Sequence, residues 1–191
     1  QQQAVIDAQR AEEVQVAKIA MTQKQVDTAV ITIAAGDGIA ALFKSLGVQT
    51  VISGGQTMNP ATSDLVDAIN ASDAKQVIIL PNNSNIFMAA EQAVDLVDIP
   101  AQVVKTRTIQ QGLTAMMGYN PEAKLDDNVR EMAAMMTEVK SLQVTQAVRD
   151  TMLDGVEIHH GDWMGIIDGD IAVVSKKLQD TAIESVAKML D

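Results

Sequence analysis

Residues 76–86 read QVIILPNNSNI, and this stretch decides the fold. Gln76–Leu80 is a short, continuous apolar run, too brief for a helix, and it reads as a strand covered on both faces. Pro81-Asn82-Asn83 closes it, and Ser84 or Asn85 caps a helix that runs to about Val97. The same grammar recurs on both sides. Thr28–Ala34 (TAVITIA) is a β-branched strand ending in Gly36-Asp37-Gly38, followed by a helix over Ile39–Leu46 that stops at Gly47. Val48–Ile52 is a strand that ends at Ser53-Gly54-Gly55, and Asn59-Pro60 opens a helix with Leu65, Val66 and Ile69 on one face. Ala101–Val104 is a fourth strand, closed by Lys105-Thr106-Arg107 and followed by a helix from Thr108 to Met117.

Strand and helix thus alternate four times between Thr28 and Met117. That pattern predicts a parallel sheet flanked by helices, with right-handed crossovers. Beyond Pro121 the period changes. Asp126–Ser141 reads as one long helix, with Val129, Met132, Ala133 and Met136 at helical spacing. Leu142–Met152 alternates as a strand with one polar face. Gly155–Ser175 reads as two or three antiparallel strands joined by tight turns. Lys176–Leu190 closes the chain as an amphipathic helix expected to turn Leu178, Ile183, Val186 and Leu190 inward. The expected class is α/β: a parallel half followed by an antiparallel β portion. Residues 1–27, rich in Gln, Ala, Glu and Lys, read as a linker or helical arm from a preceding domain, and residues 28–191 as the folded unit.

Composition removes several functions. The 191 residues carry 14 basic and 25 acidic side chains, a net charge of −11, which offers nucleic acid no electrostatic footprint. Phe43, Phe87, Tyr119 and Trp163 are the whole aromatic complement, too few for a base-stacking platform. No apolar run reaches the roughly 18–20 residues of a membrane-spanning helix. The absence of cysteine excludes disulfides, thiolate zinc sites and a cysteine nucleophile, and agrees with a reducing, cytoplasmic setting.

The polar clusters carry the functional signal. Gly36-Asp37-Gly38, Ser53-Gly54-Gly55-Gln56-Thr57, Pro81-Asn82-Asn83-Ser84-Asn85 and Lys105-Thr106-Arg107-Thr108 each leave a strand and enter a helix. In a parallel sheet they share the carboxyl edge, where open α/β sheets bind ligands. Ser53, Gly54, Gly55, Gln56, Thr57, Asn82, Asn83 and Ser84 are the neutral candidates, with Lys105 and Arg107 as the cations. Such an edge would hold a phosphate, a carboxylate or a loop of a partner protein. Gly, Asn, Ser and Pro also serve any strand-to-helix turn, so caps and turns explain each loop taken singly. Ser53-Gly54-Gly55-Gln56 lacks both the lysine of a P-loop and the spacing of a dinucleotide fingerprint.

Other candidates are weaker. His159 and His160 would face opposite sides of a strand, which suits a solvated pair better than a shared metal. Asp162, Asp168 and Asp170 read as Asp-Gly turn residues, with a Mg²⁺ site as the alternative. Met116, Met117, Met132, Met135 and Met136 are core filler or an adaptable docking surface beside acidic residues. No Ser-His-Asp or Glu-His pattern supports a free-standing hydrolase or kinase.

Val51-Ile52-Ser53-Gly54-Gly55-Gln56-Thr57-Met58-Asn59-Pro60-Ala61-Thr62 resembles a signature of bacterial dihydroxyacetone-kinase-like proteins, which include the kinase subunit of bacterial fatty acid kinase. Ile78–Ile86 and Val104–Gly112 are similar to that family's next two strand ends, and order and spacing agree over about residues 28–191. The resemblance implies a fold akin to fatty-acid-binding DegV proteins and to the substrate-binding subunit of dihydroxyacetone kinase. It implies that ATP and Mg²⁺ bind a preceding helical domain, with no cofactor and no catalytic residue in this chain. In the related dihydroxyacetone kinase, a histidine captures substrate, but neither His159 nor His160 lies at a matching motif. The resemblance further implies a recognition domain that docks a DegV-type fatty-acid-binding partner for phosphorylation of its lipid, and it admits a homodimer. The alternative is a domain that binds a small carboxylate or phosphate.

Overall fold

The computed structural model describes residues 26–54, 59–137, 139–153 and 155–190. The expected arm therefore lies, but for Val26 and Asp27, outside the described residues, as do Gly55, Gln56 and Thr57.

Four strands, β1 (Thr28–Ala34), β2 (Thr50–Ser53), β3 (Gln76–Leu80) and β4 (Ala101–Val103), form a parallel sheet in the order β2-β1-β3-β4. Every residue of β1 is buried, as a strand covered on both faces requires. Alternate side chains feed two cores. Val30, Ile78 and Leu80 meet Phe43, Met116 and Met132 on one face. Ile31, Ile33 and Ile79 meet Leu65, Ile69 and Ala90 on the other. The first core is covered by α1 (Asp37–Ser45), α4 (Ile109–Ala115) and α5 (Leu125–Met135), the second by α2 (Thr62–Asn70) and α3 (Phe87–Asp95).

A second sheet is antiparallel, in the order β5-β8-β9: β5 (Leu142–Gln146), β8 (Trp163–Ile167) and β9 (Asp170–Ser175). A separate hairpin pairs β6 (Thr151–Leu153) with β7 (Val156–Ile158). The closing helix α6 (Leu178–Leu190) lies on β8 and β9. The α/β class with a parallel half and an antiparallel tail is as the sequence indicates.

Several boundaries differ. Helix α2 starts at Thr62 rather than Asn59, because the Asp64 carboxylate accepts the Ala61 N–H at 2.8 Å and fixes the first turn there. Asn83, not Ser84 or Asn85, is the cap after β3: its Oδ1 accepts from the Asn85 N–H at 2.9 Å, and a 3-10 turn (Ser84–Ile86) precedes α3. Helix α5 ends at Met135, six residues short of the expected Ser141. The long strand expected over Leu142–Met152 breaks after Gln146, where the Ala147 N–H bonds the Asp162 carbonyl.

The largest correction concerns α6. Its buried face is Thr181 and Ser185, whereas Ile183 and Leu190 are 70% and 76% exposed and Leu178 and Val186 are exposed too. The reason is Gly165 on β8. Without a side chain there, the helix settles so close that a Cβ at Gly165 would overlap the Ser185 hydroxyl. Only small residues fit that seam, so the larger aliphatics turn outward.

Candidate functional site at the sheet switch point

The strand order places β1 and β3 side by side although β2 separates them in sequence. The chain leaves β1 toward one edge and returns to the other side, so the connections diverge at the carboxyl ends of β1 and β3. Open α/β sheets bind ligands at such a divergence. A cleft of about 320 Å³ opens there. Its walls come from Ile33 and Ala34 at the end of β1, Ala35 just after it, Gly54 after β2, and Pro81, Asn82 and Asn83 after β3. Ile86, Ile109 and Gln143 complete it from the 3-10 turn, α4 and β5.

Asn82 holds the floor. It is buried and has φ 56°, a left-handed conformation that Asn tolerates better than most residues. Its Nδ2 donates to Thr32 Oγ1 at 2.8 Å and to the Ile33 carbonyl at 2.9 Å. Its backbone N–H donates to Thr106 Oγ1 at 2.9 Å. Thr32 Oγ1 in turn donates to the Leu80 carbonyl at 3.1 Å. The loops after β3 and β4 are thereby joined to each other and to strand β1 through buried polar groups, which in a low-dielectric setting hold firmly only when paired. Asn82 Oδ1 is buried without a hydrogen-bond partner among the described residues, and it abuts Gly112 on α4, where a Cβ would overlap it.

A smaller, more polar recess of about 170 Å³ adjoins the cleft, sharing Asn83 and Gln143 with it. Ser84, Asn85, Arg107 and Ser141 line this recess. Thr108 caps α4 by accepting the Gln111 N–H at 3.2 Å, and its hydroxyl lies 2.7 Å from Ser141 Oγ. Ser141 N–H donates to Asp168 Oδ1 at 2.7 Å, which anchors the β8–β9 turn to the parallel half.

The two expected cations part ways. Lys105 Nζ is 2.6 Å from Glu91 on α3, a solvent-exposed pair that lies outside both recesses. Arg107 lines the polar recess, and its guanidinium has no hydrogen bond or ion pair among the described residues, its backbone N–H alone being bonded, to Gln111 Oε1 at 2.7 Å. Gly54, Asn82 and Asn83 border the cleft, Asn83, Ser84 and Arg107 border the recess, and Ser53 is exposed at the end of β2.

Thr32, Ile109, Ser141 and Gln143 belong to this region and are not among the sequence candidates, whereas Thr106 stands in one of the quoted polar clusters. Thr32 was detectable as a hydroxyl inside a fully apolar strand. Gln143 comes from the antiparallel half, and no local pattern announces that the two halves meet.

The remaining candidates have structural partners. Asp162 is buried, accepts Lys176 Nζ at 2.6 Å and the His159 N–H at 3.0 Å, and these contacts, the Lys176 bond foremost, hold its carboxyl below the usual Asp range. His159 and His160 follow β7 in a turn rather than in a strand, and both are exposed. No group of three His, Asp or Glu side chains able to hold a metal occurs among the described residues. Met116 and Met132 are core, whereas Met117 and Met135 are exposed. No helix among the described residues is long and apolar enough to cross a membrane.

Comparison with known proteins gives a consistent result. The family model of the FakA-like C-terminal domain, from a fatty acid kinase subunit, matches residues 29–191. An uncharacterised protein of Staphylococcus epidermidis is 49% identical over 154 residues, covering 81% of this chain and 28% of that protein. An uncharacterised protein of Staphylococcus aureus is 47% identical over 165 residues, covering 86% of this chain and 30% of its own length. The chain thus spans less than a third of these relatives.

Proposed function

Since the chain belongs to the FakA-like C-terminal family of fatty acid kinase, we propose that it is the recognition domain of a fatty acid kinase subunit, docking a DegV-type fatty-acid-binding partner through its carboxyl-edge loops. The family match over residues 29–191 carries this reading. Phosphoryl transfer depends mainly on positioning and charge stabilisation, so a domain that presents a lipid carboxylate to a distant ATP contributes without a base of its own. We assign ATP and Mg²⁺ to the remainder of the longer protein. A cytoplasmic setting fits that assignment. Docking residues are Ser53, Gly54, Asn82, Asn83, Ser84 and Arg107, joined by Gly55, Gln56 and Thr57, which follow Gly54 in sequence. Lys105 contributes less, being neutralised by Glu91.

The test is equilibrium binding of this chain to a fatty-acid-loaded DegV-type protein. Arg107→Glu is expected to weaken binding about tenfold, the effect of losing some 1.4 kcal/mol. Lys105→Glu is expected to do less. Equal affinity of wild type and Arg107→Glu would remove the carboxyl edge as the docking surface.

A further inference from the structure

We infer that the switch-point cleft and its polar recess form one binding site for a small amphipathic anion, a carboxylate or phosphate head on a short apolar tail. This goes beyond partner docking and stands without it. The cleft is walled mainly by Ile33, Ala34, Pro81, Ile86 and Ile109, which have nothing to offer a charged group, over Asn82, whose amide nitrogen is committed to β1. Its volume of about 320 Å³ lies at the low end of the roughly 300–1,000 Å³ typical of ligand pockets, so the tail is short. The recess, in contrast, presents Arg107, Ser84 and Asn85. Asn83 and Gln143 border both spaces, so apolar and polar parts are contiguous.

Charge selects the sign. Arg107 is a cation facing the recess with no carboxylate partner among the described residues, on a chain of net charge −11. Neighbouring cation Lys105 is compensated by Glu91, so Arg107 alone is left to meet an incoming anion. The Asn82 network fixes the floor before any ligand arrives, and preorganisation of this kind lowers the cost of binding.

The site is tested on the 191-residue chain alone, with no partner protein present. Octanoate and octyl phosphate are titrated while backbone amide shifts are followed by NMR; octanol and inorganic phosphate are the controls. Saturable shifts are expected at Ala35, Asn83, Arg107 and Ile109 with at least one amphipathic anion, about tenfold tighter than with either control. Which of the two binds better identifies the head group. Arg107→Gln should weaken that binding about tenfold, and Ala35→Leu, at an exposed position on the cleft wall, should abolish it while the thermal midpoint is kept. Absence of saturable shifts with both anions would overturn the proposal. So would binding that survives both substitutions. Loss of partner docking in Arg107→Glu with no anion binding here would leave the docking reading intact and sink this one.

Discussion

Asn82 Nδ2 lies 2.8 Å from Thr32 Oγ1, so the second residue past β3 is fastened to the neighbouring strand β1 just where the two diverge. The same nitrogen also serves the Ile33 carbonyl. Asn82→Asp would set a carboxylate against a carbonyl and a hydroxyl already committed as a donor. The expected cost is about 2–3 kcal/mol, read as a lower urea midpoint at unchanged slope. A midpoint equal to wild type would show that this pair does not hold the cleft floor.

Gly112 faces the other side of that amide. Alanine there improves helix propensity by up to about 1 kcal/mol. Against this stands overlap with Asn82 Oδ1, an Asn82 Cγ at 2.9 Å and a Phe43 ring carbon at 3.1 Å. Overpacking of this sort costs roughly 1–3 kcal/mol, so the balance is loss. Gly112→Ala should lower the thermal midpoint and shift the amide resonances of Asn82 and Thr106. A stabilised variant would mean that Asn82 moves aside freely.

Ser185 and Gly165 make a paired prediction of opposite sign. Ser185 Oγ is buried with no hydrogen-bond partner among the described residues, so Ser185→Ala should be neutral or stabilising by a few tenths to about 1 kcal/mol. Gly165→Ala should cost about 1–3 kcal/mol, since the new Cβ would meet both Ser185 Oγ and Ser185 Cβ. In a Ser185→Gly background part of that loss should return, a coupling visible in a double-mutant cycle. Strict additivity would place the strain elsewhere.

Asp162 sets an acid limit. Its folded carboxyl titrates lower than an unfolded Asp, whose value is about 3.9, because Lys176 and the His159 N–H favour the charged form. The stabilisation is therefore present above about pH 4 and disappears as the pH falls through the lower, folded value. Protection of the His159 amide from exchange should decline in that acid window. Asp162→Asn should remove this pH dependence, and an unchanged profile would count against the Lys176 pair as its source.

Legibility followed the scale of the cause. Gln76–Leu80 was readable to the residue because a four-residue apolar run, Val77–Leu80, between Gln76 and Pro81 admits one structure. The cleft's location was readable because strand ends in a parallel sheet share an edge. Helix α6 was not, since its hydrophobic pattern gives the face that could be buried, while Gly165, on a different element, decides which face is. The different settings of Arg107 and Lys105 were equally hidden: Glu91 lies 14 positions from Lys105, and only the fold brings it to 2.6 Å. Gln143 entered the site for the same reason, carried in by a strand of the other half.

The position of Thr28 has a mechanical consequence. It opens β1, an inner strand of seven residues, so the polypeptide enters the parallel sheet at the pole opposite the cleft. At about 3.3 Å per residue, entry and cleft stand roughly 23 Å apart. Thr28 is clamped at that pole by hydrogen bonds from Tyr119 and Gln76 and to the Ala123 carbonyl. A pull on the leading segment would load this clamp and the β1 ladders lengthwise, in shear, before it disturbed the loops at the far end. The Asp27 carbonyl, which accepts the Lys75 and Gln76 N–H groups, adds to this clamp, so load arriving there is borne at the pole away from the cleft.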